Sequence, residues 1–340
     1  ASDVYKRQIQ FFDDTLGAPH AMSTTNQTWW LKELCNGLSL VAALVMLVPL
    51  TKLLLTIPWF SPARTEVCPA PAKPRGRGAV KFWTIFVISA AVACVTFIPL
   101  SAASQHVFSA AANKQNGWFF PGRMVNAVVL WSLVNGLFGL ILLWIGHSMS
   151  KHRGADEPRN WGVRMTWAQT GRTLALALLV ITIFYTILAI VYGFFHVDYR
   201  LFVVAARPLT KRWSLIGLTY VPALFPFFFS NSLRVNASMR FGNQRRWVNW
   251  LIIALANSIG LAAIFVIQYV TFFSTGTVYW TTNWLYVNML QSLLPMMIVL
   301  PLFNRAFYHA TGRVWLGPIV TTTIFALMAL GGSVAYIPMF

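Results

Sequence analysis

Eight apolar runs, each able to cross a bilayer as a helix, divide the chain at 31–57, 82–103, 124–145, 173–195, 214–230, 247–273, 280–303 and 314–337. A spanning helix needs roughly 20 mostly apolar residues, and backbone in hydrocarbon must satisfy its own hydrogen bonds. The pattern therefore predicts an all-α fold, a polytopic transmembrane helical bundle of about eight spans. The fifth run is the shortest and carries Pro222 and Pro226, which predicts a kinked or half re-entrant segment; Pro295 and Pro301 predict a bend in the seventh. Between the fourth and fifth runs, 196–213 mixes Tyr199, Leu201 and Phe202 with Arg200, Arg207, Lys211 and Arg212, and reads as one interfacial amphipathic helix. Trp29 and Trp30 read as an aromatic anchor at the membrane surface.

Ahead of the first run, Ile9, Phe12 and Leu16 share a helical face while Asp13 and Asp14 point elsewhere, and Gly17 and Pro19 end that helix. A polar stretch, 20–28, follows as a linker. Residues 3–8, DVYKRQ, are the in-frame translation of GAT GTG TAT AAG AGA CAG, the transposon end used in preparing sequencing libraries. The expected organisation is a non-native scar at 1–8, the end of an upstream domain and a linker at 9–28, and a transmembrane helical domain at 29–340. On this reading the natural start is missing and the source is bacterial and metagenomic.

Composition agrees with lipid as the solvent: of 340 residues, 57% are hydrophobic and 10% charged. The net charge of +18 sits in short stretches between the apolar runs, where Lys and Arg orient membrane helices, so nucleic acid is not an expected partner. Counted by alternate loops, the sides after runs one, three, five and seven hold 17 Lys and Arg, and the opposite side seven once the scar is set aside. The positive-inside rule then predicts a multi-pass protein of the cytoplasmic membrane with both ends of this chain extracytoplasmic.

Candidate chemistry is sparse. No Asp or Glu follows Asp198, which counts against a proton- or cation-coupled transporter with an intramembrane carboxylate. His106, His147, His152, His196 and His309 are scattered without HExxH or HxxxH spacing, Cys35, Cys68 and Cys94 without CxxC, and no GxSxG, P-loop or GxGxxG stands in the required context. The expectation is no catalytic residue, no cofactor and no metal in this chain. The strongest polar signal is an amide series, Asn126, Asn135, Asn231, Asn257, Gln268, Asn283, Asn288, Gln291 and Asn304. In lipid such residues bond helices together. The sharper alternative is a polar cavity lined by Asn257, Gln268, Asn288 and Gln291, admitting a lipid headgroup or small solute. The stretch 230–247, SNSLRVNASMRFGNQRRW, reads as a basic loop whose Arg234, Arg240, Arg245 and Arg246 contact anionic lipid headgroups.

The sequence FFDDTLGAPHAM at 11–22, followed by Asn26, Gln27, Trp30, Lys32 and Glu33, resembles bacterial membrane proteins in which an α/β-hydrolase domain precedes a multi-span C-terminal region. PALFPFFFSNSLRVN at 222–236 and IQYVTFFSTG at 267–276 are similar to that family's membrane region, so the resemblance covers nearly the whole chain. It implies a serine hydrolase of esterase or peptidase type whose catalytic residues lie before Ile9, with His20 outside the triad. The chain itself would be the membrane anchor of that missing domain. A transporter or lipid-handling protein is the alternative from another class.

Overall fold

The computed structural model describes residues 2–17, 28–113, 117–150 and 161–333. The expected linker with His20, the cations Lys114, Lys151, Arg153 and Arg159, and the end of the eighth run lie outside the described residues. Among those described, the chain is an all-α bundle: α1 (Ser2–Leu16), α2 (Trp29–Leu54), α3 (Arg77–Val107), α4 (Ser109–Ala112), α5 (Arg123–Ser150), α6 (Trp167–Phe195), α7 (Lys211–Leu233), α8 (Arg246–Thr275), α9 (Trp284–Thr311) and α10 (Leu316–Ser333). All but α1 and α4 are long and apolar enough to cross a membrane, α7 with the π turn that extends it, so the chain is a multi-pass membrane protein with eight spans among the described residues. Helix α1 runs without a break through residues 3–8, and its Phe12 and Leu16 are exposed.

The span ends follow local chemistry. Thr166 and Gln169 form a reciprocal capping box at the start of α6, with bonds of 3.3 and 3.1 Å. Gly276 and Gly312 close α8 and α9 in the left-handed region. Helix α7 passes through Pro222 and Pro226 without interruption, and α9 through Pro295 and Pro301. The fifth span, expected to be the shortest, reaches from Lys211 to Ser238.

The stretch 196–213 takes a different form from the amphipathic helix its charges predict. His196 ends α6 in the left-handed conformation, and Tyr199–Leu201 (β1) pairs antiparallel with Val204–Ala206 (β2). Phe202, at positive φ, lies in the turn between the two strands. Leu201 lies against Gly37 of α2, and Arg200 and Glu33 pair at 3.8 Å, so the hairpin straps the bundle at that end.

Packing sorts the spans into rim and centre. In the most apolar window of α10, 78% of residues are buried, against 17% in α3. Helix α10 packs on α7, α9 and α6, while α3 packs on α5 and α8 and leaves most of its residues short of full burial. A main core joins α3, α5, α7, α8 and α9 around Phe97, Trp131, Tyr220, Phe228 and Leu290. A second gathers α2, α6, α9 and α10 around Leu47, Phe184, Phe307 and Ile324. Small residues set the closest approaches: a side chain at Gly136 would collide with the backbone of Phe227, and one at Gly260 with the carbonyl of Ala90.

Candidate functional site

The polar heart of the bundle lies where α7 leaves regular geometry. After Leu233 the chain makes a π-helical turn, Arg234–Ser238, before breaking toward α8. Wide turns of this kind disturb the i to i−4 ladder and are common at functional positions. Arg305 of α9 supports the turn by donating through Nη2 to the carbonyls of Val235 and Met239. Around it runs a chain of buried amides and hydroxyls. Asn304 Nδ2 donates to Asn231 Oδ1 at 3.0 Å, Thr321 Oγ1 to Asn304 Oδ1 at 3.3 Å, and Ser232 Oγ to the carbonyl of Val314 at 2.9 Å. Asn236 Nδ2 reaches both Ser232 Oγ and the carbonyl of Asn304. These bonds tie α7, α9 and α10 together, as expected of amides in lipid.

Beside this network, α3, α5, α7 and α8 enclose a cavity of about 40 Å³. Its walls are partly small, with Ala90, Ala93, Gly139 and Gly260, and its polar lining is Ser89, Asn135, Ser230, Asn231, Arg234 and Asn257. Arg234 donates through Nη2 to Asn257 Oδ1 and to the carbonyl of Ala256. Asn135 is held by Thr96 Oγ1 at 3.1 Å and the carbonyl of Trp131 at 3.0 Å. Asn257 lies 11 residues beyond Arg246, about 16 Å along α8, so the cavity sits well inside the spans.

The four residues expected to line one cavity do not share this one. Asn257 belongs to it. Gln268 lies on α8 about 16 Å farther along, where its Oε1 accepts the backbone N–H of Trp280 at 3.0 Å. Gln291 is exposed and donates to Tyr269 Oη at 2.9 Å, and Asn288 is half-buried. The four arginines of 230–247 also part company. Arg245 and Arg246 are exposed at the start of α8, whereas Arg234 stands within the spans and Arg240 is buried. Arg240 donates to the carbonyls of Cys68 and Pro69, and its guanidinium lies 5.0 Å from the Tyr308 ring centroid.

Arg313 completes a set of internally bonded cations at this end. It donates to the carbonyls of Ala63 at 3.3 Å and Arg164 at 2.7 Å, joining three loops. Burial pushes its guanidinium below its ordinary pKa. Sequence reasoning placed Arg234 and Arg305 in loops. The signal it passed over is Leu233 and Val235, both buried, which continue the apolar face of α7 past Ser230.

Among the described residues, no three of His, Cys, Asp and Glu come together in a way that could hold a metal ion. No family model, no curated protein and no solved structure matches the chain.

Proposed function

We propose that this eight-span domain anchors a catalytic domain of the α/β-hydrolase type at the outer face of the bacterial cytoplasmic membrane and is not itself catalytic. The observation that supports the anchoring role is the small size of the amide-lined cavity among the described residues. At about 40 Å³ that space holds roughly three waters, since one water takes 10–15 Å³ on the same measure. Sites for metabolite-sized ligands run to several hundred Å³. The absence of any carboxylate in α7 to α10 points the same way, because ion-coupled carriers place acidic groups in the membrane.

The hydrolase class comes from the likeness of FFDDTLGAPHAM and the later stretches to such proteins, and the outward orientation from the 17-to-seven division of Lys and Arg. Exposed Arg245 and Arg246 are the cations placed to meet anionic headgroups on the cytoplasmic side. Transport or lipid handling is the second reading, and Arg234 in its cavity is the observation that favours it.

The test is recovery of the complete reading frame upstream of Ile9, followed by labelling of the expressed whole protein with a fluorophosphonate that reacts with activated serines. The expected result is a GxSxG elbow with acid and histidine before Ile9, a labelled whole protein, and no label on the present chain. An upstream frame without that triad refutes the hydrolase reading and leaves lipid handling.

A further inference from the structure

We infer that the cavity between α3, α5, α7 and α8 is a binding site for a small monovalent anion of about the size of chloride, held by Arg234 as its counter-ion within the membrane. This goes beyond the anchoring role and does not depend on it.

The charge balance is the first ground. None of the four enclosing helices contains Asp or Glu, so Arg234 has no carboxylate to pair with where an unpaired charge is most costly. Two oxygens, the Ala256 carbonyl and Asn257 Oδ1, meet only one of its terminal nitrogens.

The second ground is the supply of donors. Asn231 is 5% exposed, lines the cavity, and its Nδ2 has no partner because the bond from Asn304 goes to Oδ1. Ser89 and Ser230 add hydroxyls from α3 and α7. Arg240 and Arg305 differ: their unpartnered Nε atoms are sealed against protein, whereas Arg234 is only partly buried and borders open space. A convergence of a guanidinium, an unpaired amide N–H and hydroxyls is what an anion requires.

Size decides which anion. A volume of about three waters suits a halide or a group such as formate with some water beside it, whereas a phospholipid headgroup or a sugar phosphate would have to project out of it.

The experiment is thermal unfolding of the purified chain in detergent micelles, followed by tryptophan fluorescence, as sodium chloride replaces sodium gluconate at constant ionic strength. Chloride is expected to raise the midpoint by several degrees in a saturable way, and gluconate, too bulky for the cavity, is not. Asn257→Asp places a carboxylate on the atom that already accepts from Arg234, so this variant should unfold at the same temperature in both salts. Ala93→Val fills the wall without touching the charge and should also lose the chloride response. Equal midpoints of the unmodified protein in the two salts overturn the site. So does a chloride response that persists in both variants, or a midpoint raised by phosphatidylglycerol and not by chloride.

Discussion

The two ends of the bundle are fastened by different chemistry. Where the loops 55–76, 161–166, 239–245 and 312–315 meet, arginines make the joints, with Arg240, Arg305 and Arg313 each donating to two backbone carbonyls. At the opposite end the joints are made by hydroxyls and amides beside two ion pairs, Arg200 with Glu33 and Arg207 with Asp198. Tyr220 Oη accepts the N–H of Gly122 at 2.9 Å and donates to Asn126 Oδ1 at 3.1 Å, and Gln105 joins Tyr286 to Arg123. A guanidinium offers five donors in a rigid fork, so one side chain can serve carbonyls from two loops that no helix ladder satisfies. A hydroxyl or amide offers less, and suits a helix packed on a helix. The difference teaches that a basic loop in a membrane protein is not automatically a lipid-facing patch. Part of the positive charge here is internal mortar.

That contrast can be broken by substitution. The largest effect is expected from Arg305→Met, which keeps volume but strands the carbonyls of Val235 and Met239; unfolding free energy in mixed micelles should fall by about 2–4 kcal/mol. Tyr220→Phe removes a neutral joint at the other end and should cost about 1 kcal/mol in the same titration. Glu33→Gln breaks the partly exposed pair with Arg200 and should change stability by less than about 0.5 kcal/mol. Equal losses for the first two would mean that charge at the basic end adds nothing beyond its hydrogen bonds.

The eight spans were legible because lipid leaves the backbone few options, and every apolar run became a helix. Their ends were less so. The run ending at Ser230 continues to Ser238, since Arg234 and Asn236, polar enough to read as loop, find partners inside the bundle. The hairpin at β1 and β2 escaped because three-residue strands leave hardly any period to detect. The amide series does tie helices at Asn126, Asn135, Asn231 and Asn304. As a single cavity it was not legible: Asn257 and Gln268 are three turns apart on one stripe of α8, and a sequence gives the stripe but not what sits at each depth.

The enclosure of α10 bears on how the molecule is made. Its window has a mean hydropathy of 1.5, against 2.8 for α6, and Thr321, Thr322 and Thr323 are all buried among its neighbours. Of the eight spans it emerges last from the ribosome, yet it occupies the middle. The packing around it can close only once it has arrived. Closing of the bundle is then a late event, paced by delivery of a helix whose apolar character is among the weakest of the eight.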